Sequence, residues 1–176
     1  DRHIGQQKAI LYGGMIIMLG HFLLAFTNLQ TFYLGLIFVV LGTGLLKPNI
    51  SAIVGGLYEN DLNKKESGFT IFYMAINIGS VLGFFICGYL GENVGWHYGF
   101  GAAGIGMAFG LIQFILTKSN LGSIGMKPSI ELNNETKKKE IRIFNSFMLI
   151  FFLIILLGLF GYISFDPIPI ANILTV

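Results

Sequence analysis

Charge is the scarcest commodity in this chain: of 176 residues, only 11% are Asp, Glu, Lys or Arg. A water-soluble domain carries about a quarter charged residues to cover its surface, so a soluble globular fold is excluded. Cysteine occurs once, as Cys87 inside an apolar run. That excludes an intrachain disulfide and a cysteine-based metal cluster, and suits a small packed side chain. Proline is also sparse, with 4 residues against 24 glycines and 17 phenylalanines. A disordered or collagen-like chain does not have that balance, whereas helices packed in lipid do, because small residues let their backbones approach. Equally missing are a nucleophile beside a base, a phosphate loop, a metal-spaced cluster and a secretory signal pattern. No catalytic residues, metal, organic cofactor or nucleic-acid partner are expected, and the protein is not expected to be an enzyme. The chain opens on the polar Asp1-Arg2-His3, not on methionine, and is expected to be an internal piece of a longer protein.

Apolar residues fill the space that charge leaves, at 54% of the chain with a mean hydropathy of +0.74. A bilayer core about 30 Å thick needs about 20 apolar residues as helix. Five predominantly apolar runs meet that length: 9–27, 32–57, 67–91, 98–117 and 143–163. The interval from Lys8 to Lys47 is too long for one span, and the polar cluster from Thr27 to Thr31 supplies a turn between two antiparallel helices. Residues 118–142 form the one long polar stretch and are expected to be a cytoplasmic linker. Phe165-Asp166-Pro167-Ile168-Pro169 breaks the fifth span, after which Ile170 begins a sixth. The expected fold is an all-α, polytopic transmembrane helix bundle.

Lysine and arginine collect in cytoplasmic loops. Ten of the 11 basic residues (Arg2, Lys8, Lys64, Lys65, Lys118, Lys127, Lys137, Lys138, Lys139 and Arg142) fall in loops on one side, and the opposite loops hold none. The chain therefore starts in the cytoplasm.

The eleventh basic residue is the informative one. Lys47 lies inside the second span, in Gly42-Thr43-Gly44-Leu45-Leu46-Lys47-Pro48-Asn49-Ile50-Ser51. It stands ten residues before the cytoplasmic end, roughly 15 Å deep at 1.5 Å per residue. An ammonium at that depth costs several kcal/mol unless it meets a cavity, a bundle interior or a carboxylate. No Asp or Glu occurs inside the five spans, so its partner is a substrate anion or an acid on another helix; the structural alternative is that it snorkels to the interface. Pro48 removes a backbone donor beside it and loosens the helix. On the third span, Phe69, Tyr73, Asn77, Ser80 and Phe84 recur at spacings of three and four and share one helix face. Asn77 there serves either as a bond to a neighbouring helix or as a ligand contact. Gly79 with Gly83 and Gly106 with Gly110 are GxxxG patterns, which mark close helix packing. His21 is expected to bond a neighbouring helix, and Trp96 and Tyr98 to anchor the outer interface.

These residues meet a known pattern. Asp1-Arg2-His3-Ile4-Gly5-Gln6-Gln7-Lys8 resembles the conserved cytoplasmic loop between helices two and three of the major facilitator superfamily, with Asp1, Arg2, Gly5 and Lys8 carrying the match. The segment around Lys47, and Phe72-Tyr73-Met74-Ala75-Ile76-Asn77-Ile78-Gly79-Ser80, resemble the helix-four and helix-five signatures of the proton-dependent oligopeptide transporter (POT) family. The resemblance implies helices three to six plus the first of two helices inserted between the halves. It implies a proton-coupled symporter of di- and tripeptides in the cytoplasmic membrane, with protons as coupling ion. By it, Lys47 contacts the peptide carboxylate and pairs with a helix-one glutamate, taking part in proton coupling. Tyr73, Asn77 and Phe69 line the peptide pocket, with Asn77 near the peptide's amino end. Partners would be peptides, the lipid bilayer and the missing helices. Other substrates on the same fold (nitrate, an amino-acid conjugate, a drug) and a non-transporting membrane scaffold are the alternatives.

Overall fold

The computed structural model describes residues 4–59, 61–128 and 134–159, and among them every regular element is a helix. Helix α1 spans Gln6–Leu24, α2 Leu29–Leu57 and α3 Leu62–Gly83. The last runs through one π-helical segment, Phe84–Gly88, into α4, Tyr89–Asn93. Helix α5 covers Trp96–Thr117 and tightens into a 3-10 turn at Lys118–Leu121, and α6 covers Asn134–Leu159. Among the described residues, four continuous helices, Gln6–Leu24, Leu29–Leu57, Leu62–Asn93 and Trp96–Leu121, are long and apolar enough to cross a membrane. Residues 1–131 form one compact unit and residues 132–176 another.

Polar side chains set the helix starts. The Asn28 side chain accepts from the Gln30 backbone N–H at 3.0 Å, and its carbonyl accepts from the Thr31 hydroxyl at 2.7 Å. Asp61 accepts from the Lys64 N–H at 3.1 Å and pairs with the Lys64 ammonium at 3.2 Å. Each thereby satisfies an N–H that has no partner within its own helix. Gly95, with φ at +148°, turns the chain from α4 into α5. A Cβ there would lie 2.8 Å from the His97 ring as well as in a region that favours glycine.

The boundaries differ from the sequence expectation at several helix ends, three of which have a clear cause. Helix α1 stops at Leu24, short of Thr27, because Asn28 is already committed to capping α2. The third span begins at Leu62, where Asp61 caps it. The stretch expected as linker as far as Arg142 is helical from Asn134. Its lysines and glutamates favour helix, and Glu135 in the first turn complements the dipole. Polarity marked where the membrane ends; it did not mark where the helix ends. Asp1, Arg2, the break at Phe165 to Pro169 and the start of a sixth helix at Ile170 lie outside the described residues.

Helix α1 is the centre of the first unit, packed on α2 and on α5. Two glycine pairs set how closely α1 and α2 approach. A Cβ on Gly13 would sit 2.8 Å from the Gly42 carbonyl oxygen, and one on Gly42 2.6 Å from that of Gly13. Gly20 and Gly35 repeat the arrangement at 2.9 and 2.8 Å. The pairs stand seven residues apart on each antiparallel helix, so one seam runs along both. Ile17 meets Gly42 and Leu24 meets Gly35 along it, Ala9, Ile10 and Ile53 are buried as well, and Leu111 of α5 closes over Gly14. The GxxxG pairs behave otherwise: at Gly79, Gly83, Gly106 and Gly110 nothing lies within 4 Å of an added Cβ. Those faces point away from the described chain, because apolar sequence reads the same whether it meets lipid or another helix.

Candidate functional site

Helix α2 is unbroken through Pro48, and polar side chains on either side of it bond back to carbonyls of their own helix. The Thr43 hydroxyl donates to the Val39 carbonyl at 2.7 Å, the Asn49 amide to that of Leu45 at 2.7 Å, and the Ser51 hydroxyl to that of Lys47 at 3.3 Å. Proline has no N–H to offer the carbonyl four residues back, that of Gly44. The space over Gly44 is open, which leaves room for the proline ring without breaking the helix. Asn49 is only 6% exposed, on the same seam as Gly42 and Ile53. The sequence motif contained it, but only packing shows that this amide faces inward and Lys47 outward.

Lys47 is exposed and its ammonium makes no ion pair or hydrogen bond among the described residues. Tyr73, 58% exposed, stacks on Phe69 with ring centroids 6.3 Å apart and lies 5.7 Å from Phe72. Phe69 in turn reaches Gly55, where an added Cβ would be 3.7 Å from its ring, and Gly68 packs against Tyr58. Helix α3 has no buried residue, and these contacts join the C-terminal end of α2 to the N-terminal part of α3. Asn77 is exposed, and its amide has no partner among the described residues.

The register matters. Lys47 lies eight residues before Gly55, and Asn77 eight after Phe69. On antiparallel helices both are about 12 Å from the Gly55–Phe69 contact, so the ammonium and the amide stand at similar depth. The structure thus joins Phe69 to Tyr73 directly. No hydrogen bond or ion pair joins Lys47 to either Tyr73 or Asn77 among the described residues. The two helices thus carry an exposed cation, an exposed phenol and an exposed amide. Such groups suit a ligand with an anionic end and hydrogen-bonding groups.

Of the loop motif, Gly5 is buried with φ at +78°, where a Cβ would meet the Met126 carbonyl oxygen at 2.6 Å. Lys8 is exposed. Sequence reading missed the residue between them that holds this end together. Gln7 is 8% exposed; its backbone N–H donates to the Gly125 carbonyl at 3.0 Å, and its side-chain amide to that of Ile124 at 2.7 Å. A glutamine beside a lysine gives no hint of such a clamp, because the accepting carbonyls lie more than a hundred residues away. Gln7→Leu leaves the Ile124 carbonyl without its donor. Amide hydrogen exchange across residues 122–126 should then quicken by about tenfold, the factor matching a lost buried hydrogen bond of ~1.4 kcal/mol. An unchanged exchange rate would show that the clamp does not hold the loop. His21 also departs from expectation: its Nδ1 bonds the Ile17 carbonyl of its own helix at 2.9 Å, not a neighbouring helix.

With that geometry in hand, comparison with known proteins is direct. A sequence profile described as the POT family matches residues 7–150. An uncharacterized transporter, YclF of Bacillus subtilis, is 48% identical over 127 residues, covering 71% of this chain and 26% of that protein. The peptide transporter YePEPT of Yersinia enterocolitica is 37% identical over 182 residues, covering 99% of this chain and 36% of the relative. Among solved structures, a POT family transporter in complex with a thioalcohol-conjugated peptide superposes with a TM-score of 0.84 at 36% identity. It covers 96% of this chain and 35% of that one. The chain therefore spans about a quarter to a third of the length of the relatives it matches. By the profile over most of its length, by its identity to these transporters and by its helices, this chain belongs to the POT family and carries part of a major facilitator fold.

Proposed function

We propose that this chain is part of the N-terminal bundle of a proton-coupled symporter that carries di- and tripeptides across the cytoplasmic membrane. The observation that carries the reading is Lys47, an ammonium on an open helix face about 15 Å from the helix end, with no acidic partner among the described residues. A zwitterionic peptide supplies the carboxylate such a group needs, and the phenol and amide at Tyr73 and Asn77 suit its polar backbone. The stacked Phe69 braces Tyr73. The relative from Yersinia is a peptide transporter, and a solved neighbour holds a conjugated peptide; both support the substrate class.

Proton coupling follows from the same cation. An ammonium held between a fixed glutamate on a helix outside this chain and a travelling carboxylate can release one as it takes the other. Protonation of the glutamate would set which one it holds. No organic cofactor is needed for that exchange. The positive-inside asymmetry supports an orientation with the Lys8 end of α1 in the cytoplasm.

The reading is tested by uptake of a labelled dipeptide into proteoliposomes of the full-length transporter under an imposed proton gradient. Excess unlabelled di- and tripeptides should abolish uptake, and nitrate, free amino acids and drugs should leave it unchanged. Competition by nitrate or a drug with none by peptides would replace the substrate, and absence of any gradient-driven uptake would favour a scaffold.

A further inference from the structure

A second polar feature lies at the cytoplasmic end of the bundle, away from Lys47. A groove of about 570 Å³ opens between the start of α1 and the end of α5. Lys8, Lys118 and Ser119 line it together with Leu11, Phe114 and Ile115. No acidic residue lines it, and neither lysine is paired with an acid among the described residues. The Gln7 amide at its edge is already spent on the Ile124 carbonyl. The groove therefore presents two ammonium groups and a free hydroxyl, which are donors, and nothing that would repel an anion.

Its chemistry is also layered. Leu11 lies one turn inward from Lys8, and Phe114 and Ile115 one turn inward from Lys118. Cations thus sit at the rim and apolar walls lie below, toward the membrane interior. That is the order of polarity within a phospholipid, from phosphate to acyl chain. A free anion would use the rim and leave the apolar wall unused. A soluble acidic peptide would not reach it.

We propose that this groove is a binding site for one anionic phospholipid of the cytoplasmic leaflet, with its phosphate between Lys8 and Lys118 and an acyl chain against Leu11, Phe114 and Ile115. Basic pockets between membrane helices on the cytoplasmic side take such headgroups. The site joins the start of α1 to the end of α5 at the loop that Gln7 clamps. It does not rest on the peptide reading.

Native mass spectrometry of the full-length transporter, titrated with phosphatidylglycerol or phosphatidylethanolamine, tests it. The unaltered protein should retain phosphatidylglycerol preferentially, and Lys8→Gln with Lys118→Gln should weaken that retention by about thirtyfold, as expected for the loss of two interfacial charges. Lys64→Gln with Lys65→Gln, at another cytoplasmic helix end, should change nothing. In a second measurement that keeps both cations, the indole introduced by Ile115→Trp should be quenched by phosphatidylglycerol brominated on its acyl chains. Equal retention by the Lys8 and Lys118 double variant, absence of quenching, or displacement of the lipid by millimolar inorganic phosphate would each overturn the proposal.

Discussion

Replacing Lys47 with alanine in the full-length transporter is expected to lower proton-driven accumulation of a labelled dipeptide by about a hundredfold or more while the protein stays folded in the membrane. The two halves of that expectation have different causes. Truncating one partner of a desolvated charge pair typically costs about 2–5 kcal/mol, mostly because the other charge is left unpaired. On the proposed reading the charge left behind is the peptide carboxylate, so the loss falls on substrate binding. Folding is spared because the Lys47 side chain contributes no ion pair or hydrogen bond among the described residues, removing an ammonium from hydrocarbon removes a penalty, and a glutamate left without its cation neutralises by taking up a proton. Lys47→Arg keeps the charge and changes its shape, a planar guanidinium in place of a compact ammonium. It should retain more gradient-driven accumulation than Lys47→Ala. Undiminished accumulation by Lys47→Ala would remove this residue from the mechanism, though not the chain from its family.

The second large effect is expected at Gly42, and it falls on stability. A methyl group there would lie 2.6 Å from the Gly13 carbonyl oxygen and 2.6 Å from a carbon of Ile17. The nearest obstruction is backbone, so the two helices must move apart along the whole seam. Overpacking of this kind costs about 1–3 kcal/mol. Against this, alanine gains about 1 kcal/mol over glycine as a helix former. Gly42→Ala should therefore lower the thermal unfolding midpoint in detergent, and Gly42→Leu should prevent recovery of folded protein. Gly44→Ala, two residues away, supplies the contrast: with nothing within 4 Å of the new methyl, only the propensity gain applies, and the midpoint should hold or rise. A midpoint for Gly42→Ala equal to that of the unaltered protein would mean that the close approach of α1 and α2 is not needed for stability.

The membrane class was legible in the sequence because it is written in quantities that need no partner. An uncharged run long enough to cross a bilayer is apolar whatever it packs against. Lys47 stood out for the same reason, since a cation inside such a run is anomalous before any neighbour is known. The grouping of Phe69 with Tyr73 was legible too, because a spacing of four places side chains on one helix face, and the rings do stack. The glycines were less readable. Gly79 with Gly83 and Gly106 with Gly110 have the familiar spacing and face open space in this chain, whereas Gly13, Gly20, Gly35 and Gly42, at a spacing of seven, form the close seam. Spacing identifies a face, and only the opposing helix decides whether that face is covered.

Composition, charge placement and helical period were sufficient for the membrane-spanning class, for the side on which the basic residues gather and for the one ammonium that does not belong in lipid. Each of these is a local property, decided by transfer from water to hydrocarbon. Tertiary structure alone decided that α1 is the packed centre, that Asn49 turns inward while Lys47 turns outward, that Gln7 clamps a loop more than a hundred residues away and that Lys8 and Lys118 share one groove. Those depend on which apolar face meets another helix, and in a bilayer the hydrophobic effect does not distinguish lipid from protein.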